Sequence, residues 1–131
     1  MAKRTITTAR DFEAFFRAYN DKRWDDVFSY LSEDCVWHAS EKRVQGRDAI
    51  LAYWTEDHDG IRETLGKPRN VVFGDGVAYL ELSIHMEFTK NCTFFGKAYA
   101  KGDTLDFRGA DAYTFAPDGT IRECRVYCKF N

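Results

Sequence analysis

Apolar residues recur along this chain at two periods, and the change of period divides it into a helical first half and a stranded second half. Phe12, Phe15, Phe16 and Tyr19 fall at the i, i+3, i+4, i+7 spacing of one helix face. Thr8, with Asp11 three residues on, makes a capping box with the shorter acid at the start of that helix. Trp24, Val27, Phe28 and Leu31 repeat the spacing in a second, short helix. A third begins near Arg47, after Gly46, with Ile50, Tyr53 and Trp54 inward; Gly60 interrupts it, and Gly66 with Pro68 closes the region. Between the second and third helices, Cys35 to Ala39 reads as a short strand leading into a polar loop from Ser40 to Gln45.

After Pro68 the period becomes two. Arg69 to Phe73, Val77 to Phe88, Thr93 to Ala100, Thr104 to Phe115 and Thr120 to Phe130 are strand-like runs separated by Gly, Asp, Asn and Pro turn signals, which is the pattern of hairpins in series. Helices followed by an antiparallel meander predict an α+β domain, residues 1–131, in which a strongly curved, mainly antiparallel sheet wraps the helical layer. The expected core includes Phe12, Phe16, Val27, Phe28, Ile50, Leu80, Leu82, Ile84 and Phe115.

One position breaks the strand pattern. Phe107, Gly109, Tyr113 and Phe115 share a face of their strand, and the position between Gly109 and Tyr113 on that face is Asp111. A carboxylate on an apolar face is costly unless it is paired or used, and burial favours its protonated form, able to donate a hydrogen bond or move a proton near neutral pH. The alternative is a rim position in which Asp111 meets water or a nearby arginine, Arg125 being the nearest candidate.

Composition narrows the function classes. A net charge of −2, with Lys and Arg dispersed among acids, offers no basic stripe for a phosphate backbone, so nucleic acid is not an expected partner. No apolar run approaches membrane-spanning length, and Met1 to Thr5 is not followed by the apolar core of a signal peptide, so the expectation is a soluble, cytoplasmic protein. Four cysteines without a C-x-x-C pair point to free thiols. Glu81, His85 and Glu87 have a spacing able to hold a metal, but on the polar face of their strand a solvated or dimer-facing role is favoured, and neither a metal nor a cofactor is expected. Aromatic residues make up 16% of the chain, enough to line a pocket as well as fill a core.

The segments LSEDCVWHAS, QGRDAILAYW and GADAYTFAPDGTIRECRVYCKF, together with the helical first half, resemble the nuclear-transport-factor-2-like superfamily, which includes ketosteroid isomerases, SnoaL-like polyketide cyclases and limonene epoxide hydrolases. The resemblance covers nearly the whole chain. It implies a cone-shaped α+β barrel enclosing one apolar cavity, often in a homodimer packed through the outer sheet face, where Arg108 and Thr114 are then exposed. Asp111 falls where the isomerases keep a protonated aspartic acid in their oxyanion hole. The position of their general base reads as Ala39, and that of their first-helix tyrosine as Phe15. Where the epoxide hydrolases place an aspartate, this chain has Lys129.

Two functions follow from these readings. The first is a cofactor-independent isomerase, cyclase or dehydratase acting on an apolar, carbonyl-containing small molecule of polyketide or terpenoid type. In it Asp111 and Tyr113 stabilise an enolate or relay a proton, and His38 is the mobile base, although alternation with Trp37 and Ala39 turns His38 outward. Phe15, Tyr19, Trp37, Tyr53 and Trp54 bind the ring system, and Arg125 with Tyr127 reaches the substrate from the last strand. The second is a non-catalytic module that uses the same fold to bind a small molecule or to dimerise.

Overall fold

The computed structural model describes residues 2–130. Three helices, α1 (Ala9–Asn20), α2 (Trp24–Ser29) and α3 (Arg47–Ala52), lie in a strongly curled, mostly antiparallel half-barrel of sheet. The capping box forms as the sequence predicts: the Asp11 backbone amide donates to Thr8 Oγ1, and Asp11 Oδ2 accepts from the Thr8 amide at 3.0 Å. Helix α3 runs straight into a π-helical turn, Tyr53–Asp57, which the apolar spacing did not reveal.

The strands are β1 (Leu31–His38), β2 (Arg43–Gln45), β3 (Ile61–Leu65), β4 (Arg69–Gly74), β5 (Val77–Phe88), β6 (Cys92–Phe94), β7 (Lys97–Tyr99), β8 (Thr104–Phe115) and β9 (Ile121–Lys129). The main sheet runs β2-β1-β9-β8-β5-β3, with β4 also pairing β5. All its pairings are antiparallel except β1 with β9, which joins the helical half to the end of the chain. Three expectations need correction. The loop 40–45 contains β2, and the region closed by Gly66 and Pro68 contains β3. The run Thr93 to Ala100 is not a strand of the main sheet but a separate hairpin, β6–β7, turning at Phe95 and Gly96, both at positive φ.

One face of the sheet meets the helices. Ala78, Leu80, Leu82, Ile84, Met86 and Phe88 of β5 are all buried, and Phe12 of α1 packs against Tyr113 of β8 with ring centroids 4.8 Å apart. Burying each of the five larger side chains contributes about 1.5–3 kcal/mol, so the alternation of β5 is enough to fix which face turns inward. Of the expected core, Phe28 and Phe115 are only half-buried, because each sits where its element leaves the core. Arg108 is exposed on the outer face as expected, but Thr114 is half-buried near the β8–β9 turn. No helix is long and apolar enough to cross a membrane among the described residues. All four cysteines are free thiols.

Candidate functional site

Strand β8 turns Phe107, Gly109, Asp111 and Tyr113 inward, as alternation requires. Asp111 is 7% exposed, and the Tyr113 hydroxyl donates to its Oδ2 at 2.7 Å. Its Oδ1 accepts no hydrogen bond from the described residues. Burial pushes the Asp111 carboxyl up to about 7, the Tyr113 hydrogen bond opposes that rise, and the nearby charge of Glu63 adds to it. The Tyr113 phenol is itself raised well above its ordinary value, first by burial and then by Asp111, so it remains a donor. Arg125 does not pair with Asp111: its Nη1 lies 2.7 Å from Glu123 Oε1 on the other face of the sheet.

A second carboxylate faces the same cavity. Glu63 of β3 accepts a hydrogen bond from the Tyr19 hydroxyl of α1, and burial together with the Glu63 charge keeps that phenol protonated. Helix and strand are held in this relation by Asn20, whose side-chain amide donates to the Leu65 carbonyl at 2.9 Å while its oxygen accepts from the Leu65 amide at 2.8 Å. At the rim, Glu41 accepts from the Tyr53 hydroxyl, and His58 Nδ1 donates to the Tyr53 carbonyl at 2.9 Å. Glu63 and Glu41 were absent from the sequence-based site. Glu63 had a legible signal: Ile61-Arg62-Glu63-Thr64-Leu65 alternates, with Glu63 in an apolar slot, the same irregularity that marks Asp111.

The cavity between these groups measures about 80 Å³ in the space open to the centre of a water molecule, several times what one water needs. Phe15, Tyr19, Trp37, Tyr53 and Trp54 line it, as the sequence predicts. Trp54 packs edge-on against both Tyr19 and Trp37, with centroids 5.2 and 5.1 Å apart, which gives the wall a fixed shape. The β6–β7 hairpin contributes Phe94 and Phe95.

Three sequence-predicted residues lie elsewhere. His38 alternates with the buried Trp37, points to the outer face and sits with Nε2 3.1 Å from Glu123 Oε2. Arg125 and Tyr127 are also outside, Tyr127 being 58% exposed. The reason is a bulge. Near the turn Phe115 pairs with Ile121, a register that, continued, would set Asp111 opposite Arg125. One extra residue on β9 makes Thr114 pair with Glu123 instead, so Val126 comes opposite Asp111 and the parity of β9 is inverted. Cys124, Val126 and Cys128 therefore point inward. On β5, Glu81, His85 and Glu87 occupy the other face with separate partners, Asn70, Asp106 and Arg62.

The comparisons with known proteins agree with this architecture. The SnoaL-like domain matches residues 12–124. No curated protein matches the chain. A candidate polyketide cyclase from Xanthomonas campestris pv. campestris is 25% identical, with a TM-score of 0.75 over 88% of this chain and 85% of its own. A second, from Pseudomonas putida KT2440, is 21% identical with a TM-score of 0.77 over 93% and 92%. An NTF2-like protein from Anabaena variabilis ATCC 29413 shares 15% identity with a TM-score of 0.70 over 92% and 84%. Identities as low as the last two carry the fold alone. The domain match takes in every helix, the curled sheet as far as β9, and the cavity between them: the chain belongs to the SnoaL-like domain family.

Proposed function

We propose that this protein is a cofactor-free isomerase, cyclase or dehydratase that moves a proton on an apolar, carbonyl-containing small molecule of polyketide or terpenoid type. The observation that carries this reading is Asp111, buried, tied to Tyr113 through one oxygen, and raised to about 7 so that its neutral form is well populated at neutral pH. From Oδ1 the neutral carboxyl donates to a carbonyl oxygen that gains charge as an enolate forms, and Tyr113 steadies the carboxyl as that charge develops. Glu63, oriented by Tyr19, is the base that removes the proton beside the carbonyl. It takes the role that sequence reasoning gave to His38. The aromatic wall supplies binding to a flat ring system. The name of the Xanthomonas relative agrees with a polyketide-like substrate. The working form is a homodimer joined through the outer sheet face, where Tyr79 and Tyr127 are exposed.

One observation favours a second reading, a ligand-binding module without turnover. Ala39 and Phe15 line the cavity at the two positions that read as the base and the tyrosine of the isomerases. The test begins with a thermal-shift screen of steroid, polyketide and terpenoid ketones, followed by solvent-deuterium exchange into any ligand that stabilises the protein. Folded Asp111→Asn is expected to lose about tenfold or more in exchange rate. Unchanged exchange in that variant removes Asp111 from the mechanism, and ligands that bind without any exchange support the module.

A further inference from the structure

The ionisable groups that line the cavity are nearly all of one sign. Glu41, Glu63 and Asp111 face it with one histidine, His58, at the rim, and among the described residues no lysine or arginine does. The chain as a whole carries 19 Lys and Arg against 21 Asp and Glu, so this bias is local. Elsewhere carboxylates meet cations: Glu123 meets His38 and Arg125, Asp57 meets Lys42, and Asp26 meets Arg23. The cavity carboxylates meet phenols instead, Tyr53 on Glu41, Tyr19 on Glu63 and Tyr113 on Asp111. A phenol O–H fills a lone pair but brings no positive charge, so the negative potential stands uncompensated. Asp111 adds an oxygen, Oδ1, that accepts no hydrogen bond from the described residues. The walls between these acids include Tyr19, Trp37 and Trp54, rings whose faces attract cations.

We propose that the ring system bound in this cavity carries, on its otherwise apolar carbonyl-bearing skeleton, a protonated amine, and that the site rejects carboxylates and phenolates of the same shape. An ammonium group here answers Glu63 and lies against aromatic faces. A carboxylate meets three acids and no lysine or arginine. The proposal rests on the cavity being a small-molecule site but not on turnover.

The experiment is calorimetric titration of the full chain at neutral pH with three probes of one shape: naphthylmethylamine, naphthylmethanol and naphthoate. The amine is expected to bind about tenfold or more tightly than the alcohol, and naphthoate about tenfold or more weakly, as expected for one charge near others in a poorly screened site. Glu63→Gln should shrink the amine-to-alcohol ratio while moving alcohol affinity little. Should that variant fail to fold, Glu41→Gln at the exposed rim makes the same comparison with a smaller change. Equal binding of all three probes, or tightest binding of naphthoate, overturns the charge preference and leaves the small-molecule reading intact. Failure of every probe to bind at millimolar concentration counts against both.

Discussion

Asp111 and Glu123 sit on adjacent strands of one sheet, a few positions apart in register, and have opposite chemistry. Asp111 faces inward, finds a phenol, and is held up to about 7. Glu123 faces outward, finds His38 and Arg125, and is held below its ordinary value, chiefly by the His38 hydrogen bond. Residue type, strand geometry and neighbouring backbone are alike. What differs is the face, and with it the dielectric and the sign of the partner. A single bulge between β8 and β9 assigns the faces, so it also assigns the chemistry.

The contrast can be broken most strongly at Asp111. Its folded value exceeds its unfolded value of 3.8, so the folded state holds a proton that the unfolded state loses, and stability falls as pH rises from about 4 to about 7. A shift of that size corresponds to at most about 4 kcal/mol. Asp111→Asn removes the penalty, so the variant should out-melt the parent at pH 8 by an amount that shrinks toward nothing near pH 4. Urea melts at the two pH values measure it, and a constant difference would show that ionisation of Asp111 is not what opposes folding.

Tyr113→Phe sharpens the comparison from the partner's side. Its hydrogen bond lowers the Asp111 value against burial, so its loss should raise that value further and cost about 1–3 kcal/mol for the orphaned buried carboxyl. Carboxyl-carbon NMR titration reads the first effect and denaturant melts the second.

On the outer face the expected effects are smaller and of opposite sign in pH. Glu123 is lowered in the folded state, so its stabilisation is present above its unfolded value of 4.5 and disappears as pH falls through the folded one. Glu123→Gln should therefore cost at most about 1 kcal/mol at neutral pH and nothing in strong acid, because partly exposed pairs are well screened. Smallest of all, Tyr127→Ser should leave the melting of one protomer within about 0.5 kcal/mol. If the outer face joins two copies, light scattering at micromolar concentration should show that variant shifted toward monomer.

These contrasts explain what was legible in the sequence. Asp111 stood out because an acid in a period-two apolar face is visible without coordinates, and alternation likewise turned His38 outward. Glu63 carries the same mark in fainter form, since β3 is only five residues long and lies in a segment bounded by Gly60, Gly66 and Pro68 that reads as the close of a helical region. Arg125 and Tyr127 were assigned to the site by strand parity, which a bulge inverts without leaving a glycine or proline at the shift to announce it. The carboxylate-phenol pairs join segments from 2 to 44 residues apart, and for the distant ones only the assembled fold supplies the partner.

The Asn20 contact to Leu65 has a further consequence, for the protein among its own kind in solution. β3 is the last strand on its side of the sheet, and such an edge is a template on which another chain can lay a strand. The Asn20 amide offers Leu65 one donor and one acceptor, as a neighbouring peptide would, and so occupies the template at its final residue with a side chain that cannot propagate. The helix end that places Tyr19 on Glu63 thus also blocks the end of the sheet's open margin against pairing with another chain.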